Sequence, residues 1–302
     1  MSGSSATVGR DALAGAAREG RSPTALAFRR MFRSQTAVAG LGITVALVVT
    51  GLLAPWLAPN EYWRISREAV MQAPGAHPAH VLGTDELGRD VLSRLLYGAR
   101  ISLLLGVGAT GVAVVVGVVL GAVSGYLGGW VDMLLQRVTD TFMALPTLLV
   151  AIAVTAIVER PTLTTLFLVM GFLSWTTVAR VVRGQVLALR ENDYAVAARS
   201  LGAGDGRILF GHLLPNCVGP IVVLGTLLVA SMILFEAGLS FLGLGVQPPY
   251  PSWGRMLLDA KPFMEESPWL MVYPGAAIVL TVLGLNFFGD GLRDAFDPRM
   301  KV

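Results

Sequence analysis

The chain is poor in most of what soluble catalysis draws on. Of its 302 residues one is cysteine, Cys217, which excludes an internal disulfide and any cysteine-built metal site. Three histidines, His77, His80 and His212, form no ligand cluster. Charged residues make up only 14%, well below the roughly 25% of an ordinary globular domain. Lysine occurs at Lys261 and Lys301 alone, and no Gly-x4-Gly-Lys-Ser/Thr phosphate loop is present. The chain is therefore expected not to be an enzyme, and it offers no cofactor or metal site of its own.

What it has in quantity is apolar surface. Hydrophobic residues reach 54%, with a mean hydropathy of +0.65, which makes a bilayer the natural solvent. Six stretches lack Asp, Glu, Lys and Arg: Ser34 to Asn60, Ile101 to Val131, Thr141 to Val158, Pro161 to Ala179, Ile208 to Phe235 and Ser267 to Gly289. A spanning helix needs about 20 apolar residues, so six spans are expected. In the fifth, Pro215 and Pro220 place the start of the membrane part near Val218. Residues 1–33, rich in Ser, Ala, Gly and Arg, read as a flexible tail. With the N-terminus inside, inner segments carry 15 basic residues and outer segments 8. Retention of Lys and Arg on the cytoplasmic side then puts both termini in the cytoplasm.

Ion-coupled carriers usually keep ionisable groups within the bilayer. None is expected at mid-depth here, because Arg180, Glu236 and Asp290 fall at predicted helix ends, within reach of the interface. Coupling energy must then come from another molecule. A self-sufficient secondary carrier would show inverted repeats and interrupted helices, and a membrane enzyme would show paired carboxylates or a nucleophile beside a base. Neither pattern stands out.

Gly117, Gly121 and Gly125 recur every four residues on helix two, a stripe that lets a second helix approach closely. Between helices four and five lies a long inner loop, and long ordered loops tend to carry function. In Glu191-Asn-Asp-Tyr-Ala-Val-Ala-Ala-Arg-Ser-Leu-Gly202, Asn192 or Asp193 is placed to cap a helix. Tyr194, Ala197, Ala198 and Leu201 then share one face, and Gly202 stops the helix. Asp205 is placed to cap a second short helix that ends before Leu214-Pro215. Before helix two, Thr84 or Asp85 is placed to cap an amphipathic helix displaying Leu87, Val91, Leu92 and Leu95 on one face, with Arg89, Asp90 and Arg94 outward or paired locally. Phe241, Tyr250 and Trp253, in a Gly- and Pro-rich turn, read as aromatic interface anchors.

The run Ala197-Ala198-x3-Gly202-x11-Leu214-Pro215 resembles the EAA loop of ABC importer permeases, the segment that docks on the ATPase subunit. Val196 stands where that motif has Glu, and His212 where it has Ile. Three further stretches resemble the dipeptide and oligopeptide permeases, in particular their C-type subunit. They are His80-x-Leu82-Gly83-Thr84-Asp85-x2-Gly88-Arg89-Asp90-x2-Ser93-Arg94, then Glu236-x2-Leu239-Ser240-Phe241-Leu242-Gly243-Leu244-Gly245 with Pro251-Ser252-Trp253-Gly254, and the ending Gly289-Asp290-Gly291-Leu292-Arg293-Asp294-x2-Asp297-Pro298-Arg299. The likeness runs from about His80 to the end, with the tail and first helix similar only in general character.

The resemblance implies an all-α integral membrane protein of six spanning helices with the type I ABC importer permease fold. Its parts are a cytoplasmic tail at 1–33, a first span at 34–60, an extracytoplasmic loop with an amphipathic helix at 61–100, and a five-helix core at 101–290 containing the EAA-type loop at 184–217. A cytoplasmic C-terminus follows at 291–302. Tyr194, Ala197, Ala198, Leu201, Gly202, Asp205, Leu214 and Pro215 are the implied ATPase-coupling residues. The implied partners are a homologous second permease, two ATPase subunits or domains that bind ATP and Mg, an extracytoplasmic solute-binding protein, and membrane lipid. No nucleic acid is implied. The implied location is the bacterial inner membrane. Relatives of this kind move peptides, nickel chelates, glutathione and other small solutes.

Overall fold

A computed structural model describes residues 31–32, 34–158 and 161–296. The expected tail at 1–33 lies almost wholly outside the described residues, as does Asp297-Pro298-Arg299. Helices run in the order α1 (Gln35–Leu52), α2 (Ala54–Leu57), α3 (Val91–Leu127), α4 (Gly129–Ala144), α5 (Thr147–Ile157), α6 (Leu163–Arg190), α7 (Asp193–Ser200), α8 (Asp205–Ile208), α9 (Leu214–Phe241), α10 (Trp253–Ala260) and α11 (Trp269–Phe296). Among the described residues the only β pairing is an isolated bridge between Thr84 and Asp90.

Among the described residues five helices are long and apolar enough to cross a membrane: α1, α3, α6, α11, and α8 with α9 read together as Asp205–Phe241. The sixth candidate is not a straight span. α4 and α5 meet at an 82° bend. The cause is local, since Pro146 lacks an N–H and biases Leu145 out of the helical region, and Leu145 is extended with ψ 134°.

The glycine stripe on helix two is a contact surface. A Cβ on Gly117 would fall 2.5 Å from the Val178 Cβ, and one on Gly121 would fall 2.4 Å from the Ala179 carbonyl oxygen. Only hydrogen fits between α3 and α6 at these points, and the two backbones run side by side. α1 packs in the same manner on α11, where a Cβ at Gly40 would meet Phe287 at 2.6 Å.

Several expected ends are displaced. The cap before helix two is Asp90, whose carboxylate accepts from the Ser93 N–H at 2.8 Å. Neither Thr84 nor Asp85 caps it, and the expected separate amphipathic helix is the first turns of the 37-residue α3. Asp85 is engaged elsewhere, accepting from the Leu87 and Arg89 N–H groups at 3.0 and 2.9 Å, from Arg89 Nε at 2.7 Å, and from buried Arg94. Arg94 also donates to Asp259 Oδ2 of α10 at 2.9 Å, a tie across 165 residues of chain. This cluster clamps the 61–90 loop onto α3 and α10.

Glu236, expected to reach the interface, is 1% exposed. It accepts from Ser240 Oγ at 2.6 Å and Ser102 Oγ at 3.1 Å, so that two hydroxyls replace water around it. Trp253 is likewise no surface anchor. It is buried, with its indole N–H donating to the Leu95 carbonyl at 3.2 Å. Arg180 and Asp290 lie inside helices that continue for further turns, because paired or exposed charges do not interrupt backbone hydrogen bonding.

Candidate functional site

The hairpin between α6 and α9 is the most distinctive surface of the molecule. Asn192 occupies the N-cap position of α7 with extended φ and ψ, although no side chain makes a capping bond there. The other end closes by a Schellman pair: the Gly202 N–H donates to the Arg199 carbonyl at 3.0 Å and the Ala203 N–H to Ala198 at 3.1 Å. This geometry requires a left-handed residue, and Gly202 has φ +81°.

Beyond the turn, Gly204 takes the N-cap position of α8 and Asp205 is its first residue, one step later than the expected cap. Asp205 is instead an acceptor for the Tyr126 hydroxyl at the end of α3, at 2.6 Å. The second short helix was expected to end before Leu214-Pro215. It does not: a π turn at Leu209–Leu213 carries it into α9, with the Leu214 N–H donating to the Leu209 carbonyl five residues back. Pro215 cannot donate to the ladder, and a single wide turn absorbs the mismatch without breaking the rod.

Apolar side chains fix the hairpin to the bundle. Ala195, Ile208, Leu209, Leu213 and Cys217 are buried against Val178, Val182 and Val186 of α6 and Ala122 of α3. Arg190 Nη1 donates to the Gly125 carbonyl at 3.1 Å, and Arg183 grips Asp132 of α4 through Nε and Nη2 at 2.6 and 2.7 Å. The hairpin is thus tied to α3 and α6 together.

Of the face named from the sequence, Tyr194, Ala197 and Leu201 are exposed, Leu201 to 89%. Ala198 is half-buried against the bundle, and the inward anchor is Ala195, which periodicity did not single out. Gly202, Asp205 and Pro215 are exposed and Leu214 is half-buried. Two further exposed side chains share this surface, Val196 and Phe210 at 69%. Phe210 lies in the π turn, where straight helical periodicity assigns the wrong face. The exposed surface of the hairpin thus combines the apolar side chains Tyr194, Val196, Leu201 and Phe210 with the charges of Asp193, Arg199, Asp205 and Arg207. Among the described residues no three His, Cys, Asp or Glu side chains converge as a metal site would require.

Residues 117–302 match the family described as the binding-protein-dependent transport system inner membrane component, and residues 22–74 match the N-terminal transmembrane domain of oligopeptide transport permease C. The second match extends the likeness to α1, beyond what the sequence motifs reached. The chain is 41% identical to the dipeptide transport system permease protein DppC of Alkalihalophilus pseudofirmus, over 93% of this chain and 91% of that one. It is 40% identical to the di/tripeptide transport system permease protein DppC of Pseudomonas aeruginosa, over 88% of each chain. With the oligopeptide transport system permease protein OppC of Haemophilus influenzae it shares 40% identity over 93% of this chain and 90% of that one. A family match over more than half the chain, with relatives aligned almost end to end, establishes that this all-helical, multi-pass protein belongs to the inner-membrane permeases of binding-protein-dependent ABC transport systems.

Proposed function

We propose that this permease moves dipeptides and oligopeptides inward as one of two homologous permease subunits, driven by two ATPase subunits that dock on the α7–α8 hairpin and hold the ATP and Mg. A solute-binding protein delivers peptide to the opposite end of the bundle, and both termini lie in the cytoplasm. The observation that carries the reading is the hairpin itself. It exposes Leu201 and Phe210 while its buried side is tied to α3, α6 and α9, so displacement of the hairpin would move three spans at once. The basic split of 15 to 8 supports the orientation, and the relatives' printed names support the peptide class.

Because Ala198 is half-buried, the exposed Leu201 is the cleaner probe of docking. The complex reconstituted in vesicles with its ATPases and binding protein should take up dipeptide only with ATP, and uptake should persist when the proton gradient is collapsed. Leu201→Glu should place a charge on a surface that a partner must desolvate and should reduce peptide-stimulated ATP hydrolysis without loss of folded permease. Uptake that follows the proton gradient in the absence of ATP would refute the reading.

A further inference from the structure

Pairing of Arg183 with Asp132, and packing of Phe142 on Phe172 and Trp175, show that α4 runs alongside α6. The break at Leu145-Pro146 therefore lies level with the charge-free stretch from Leu163 to Ala179, within the thickness of the bundle. α5 then crosses to pack Ala151 and Ile152 against Met170 of α6 and Met232 of α9. Around the break, Ala144, Leu145, Pro146 and Thr147 are all exposed, and no side chain caps the start of α5. The Leu145 N–H donates to the Phe142 carbonyl at 3.3 Å, and the first N–H groups of α5 have no side-chain partner.

A second feature lies on the same face. Arg180 Nη2 donates to Asp140 Oδ1 at 2.5 Å, and the two side chains are 45% and 51% exposed. Thr141 and Thr177, one residue and one turn away, are exposed beside them. Hydrocarbon can solvate neither irregular backbone nor a half-exposed ion pair. At membrane depth both are tolerated only where protein buries them or water reaches them. Three exposed threonines, Thr141, Thr147 and Thr177, flank the pair, among exposed apolar side chains at Met143, Leu145, Leu148 and Phe172.

We infer that the face of α4, α5 and α6 around the Leu145-Pro146 break, with the Asp140–Arg180 pair on it, lines the aqueous path taken by the solute, and that the second permease supplies the opposite wall. This rests on the proposed function. The two ends of a zwitterionic solute are the chemistry that a paired carboxylate and guanidinium would meet there.

The test uses the assembled complex in vesicles, in a Cys217→Ala background, with a charged, water-soluble methanethiosulfonate reagent. The cysteine thiolate attacks the sulfenyl sulfur of such a reagent, forming a mixed disulfide and expelling methanesulfinate, and thiolate forms where water is present. Leu145→Cys and Thr147→Cys should react about tenfold or more faster than Val45→Cys on the exposed face of α1, since thiolate is scarce in hydrocarbon. In a Thr177→Cys variant, Arg180→Gln should lower the rate with an anionic reagent relative to a cationic one, and Asp140→Asn should raise it. If both break positions react no faster than Val45→Cys, lipid or a dry protein contact covers the face and the inference is wrong. If the reagent ratio is indifferent to both substitutions, the ion pair does not face the path. Labelling is read independently of uptake, so an assembly that labels as expected but shows no ATP-driven uptake overturns the proposed function and its solute path, while the water-filled face itself is retained.

Discussion

Arg94 is where removal of one side chain should be felt farthest along the chain. It is 4% exposed and bridges Asp85 of the 61–90 loop to Asp259 of α10. At the 2.9 Å separation from Asp259, an effective dielectric of about 20 gives a gross attraction of about 6 kcal/mol. Desolvation of both groups opposes it, leaving about 2 kcal/mol, in the range measured for hydrogen bonds to charged partners. Arg94→Met keeps the bulk and removes the charge, while Asp85 retains Arg89 and Asp259 retains Arg255. The loop should therefore open more often without unfolding. The Leu87 and Arg89 amides, both bonded to Asp85, report that opening by hydrogen exchange. Arg94→Met and Asp259→Asn should each speed exchange. The double variant should fall short of their product by about thirtyfold, the equivalent of about 2 kcal/mol. A double variant within about twofold of the product would mean that the pair is not coupled, and the clamp between loop and α10 would have to be sought elsewhere.

Three further outcomes are expected. Gly121→Ala should lower the melting temperature of the purified permease, at a cost of about 1–3 kcal/mol for overpacking, whereas Gly111→Ala on the same helix meets nothing within 4 Å and should not. Gly202→Leu should impair peptide-stimulated ATP hydrolysis through backbone strain of about 1–2 kcal/mol, since its side chain would have open space; Gly202→Asn should retain most of the activity, and equal loss in both would point to contact in place of strain. Burial, then the neighbouring Asp85, raises the Glu86 carboxyl above its ordinary value. A raised carboxyl favours the folded loop below its unfolded pKa, and that contribution is lost as pH rises through the folded value, so Glu86→Gln should slow loop exchange at neutral pH relative to wild type and the difference should vanish in acid.

What the sequence made legible was whatever depends on neighbours along the chain. Apolar runs located the spans, the four-residue glycine period marked a close-contact face on α3 without naming its partner, and Gly202 with the residues before it located the hairpin turn. Partners distant in sequence were not legible. Nothing near Arg94 announces Asp259, and nothing near Glu236 announces Ser102, so a charge that looked peripheral proved enclosed. Helix ends were misplaced for a related reason: charges taken as boundaries, such as Arg180, are satisfied by partners on other helices and the ladder simply continues. The break at Pro146 had a local signal in Leu145-Pro146, but an apolar stretch without charge masks a bend. The π turn hid Phe210 and removed the expected stop at Leu214.

The run from Asp205 to Phe241, 37 residues, is about 55 Å of helix at 1.5 Å per residue. It counts as one span although it contains the π turn at Leu209–Leu213 and Pro220. One end is the hairpin, and the other carries Glu236 and Ser240, which hold the turn leading to Trp253. A tilt of about 5° at one end displaces the other by roughly 5 Å on that length. Under the proposed function, a rod of this length would carry a displacement of the hairpin directly to the turn at its opposite end.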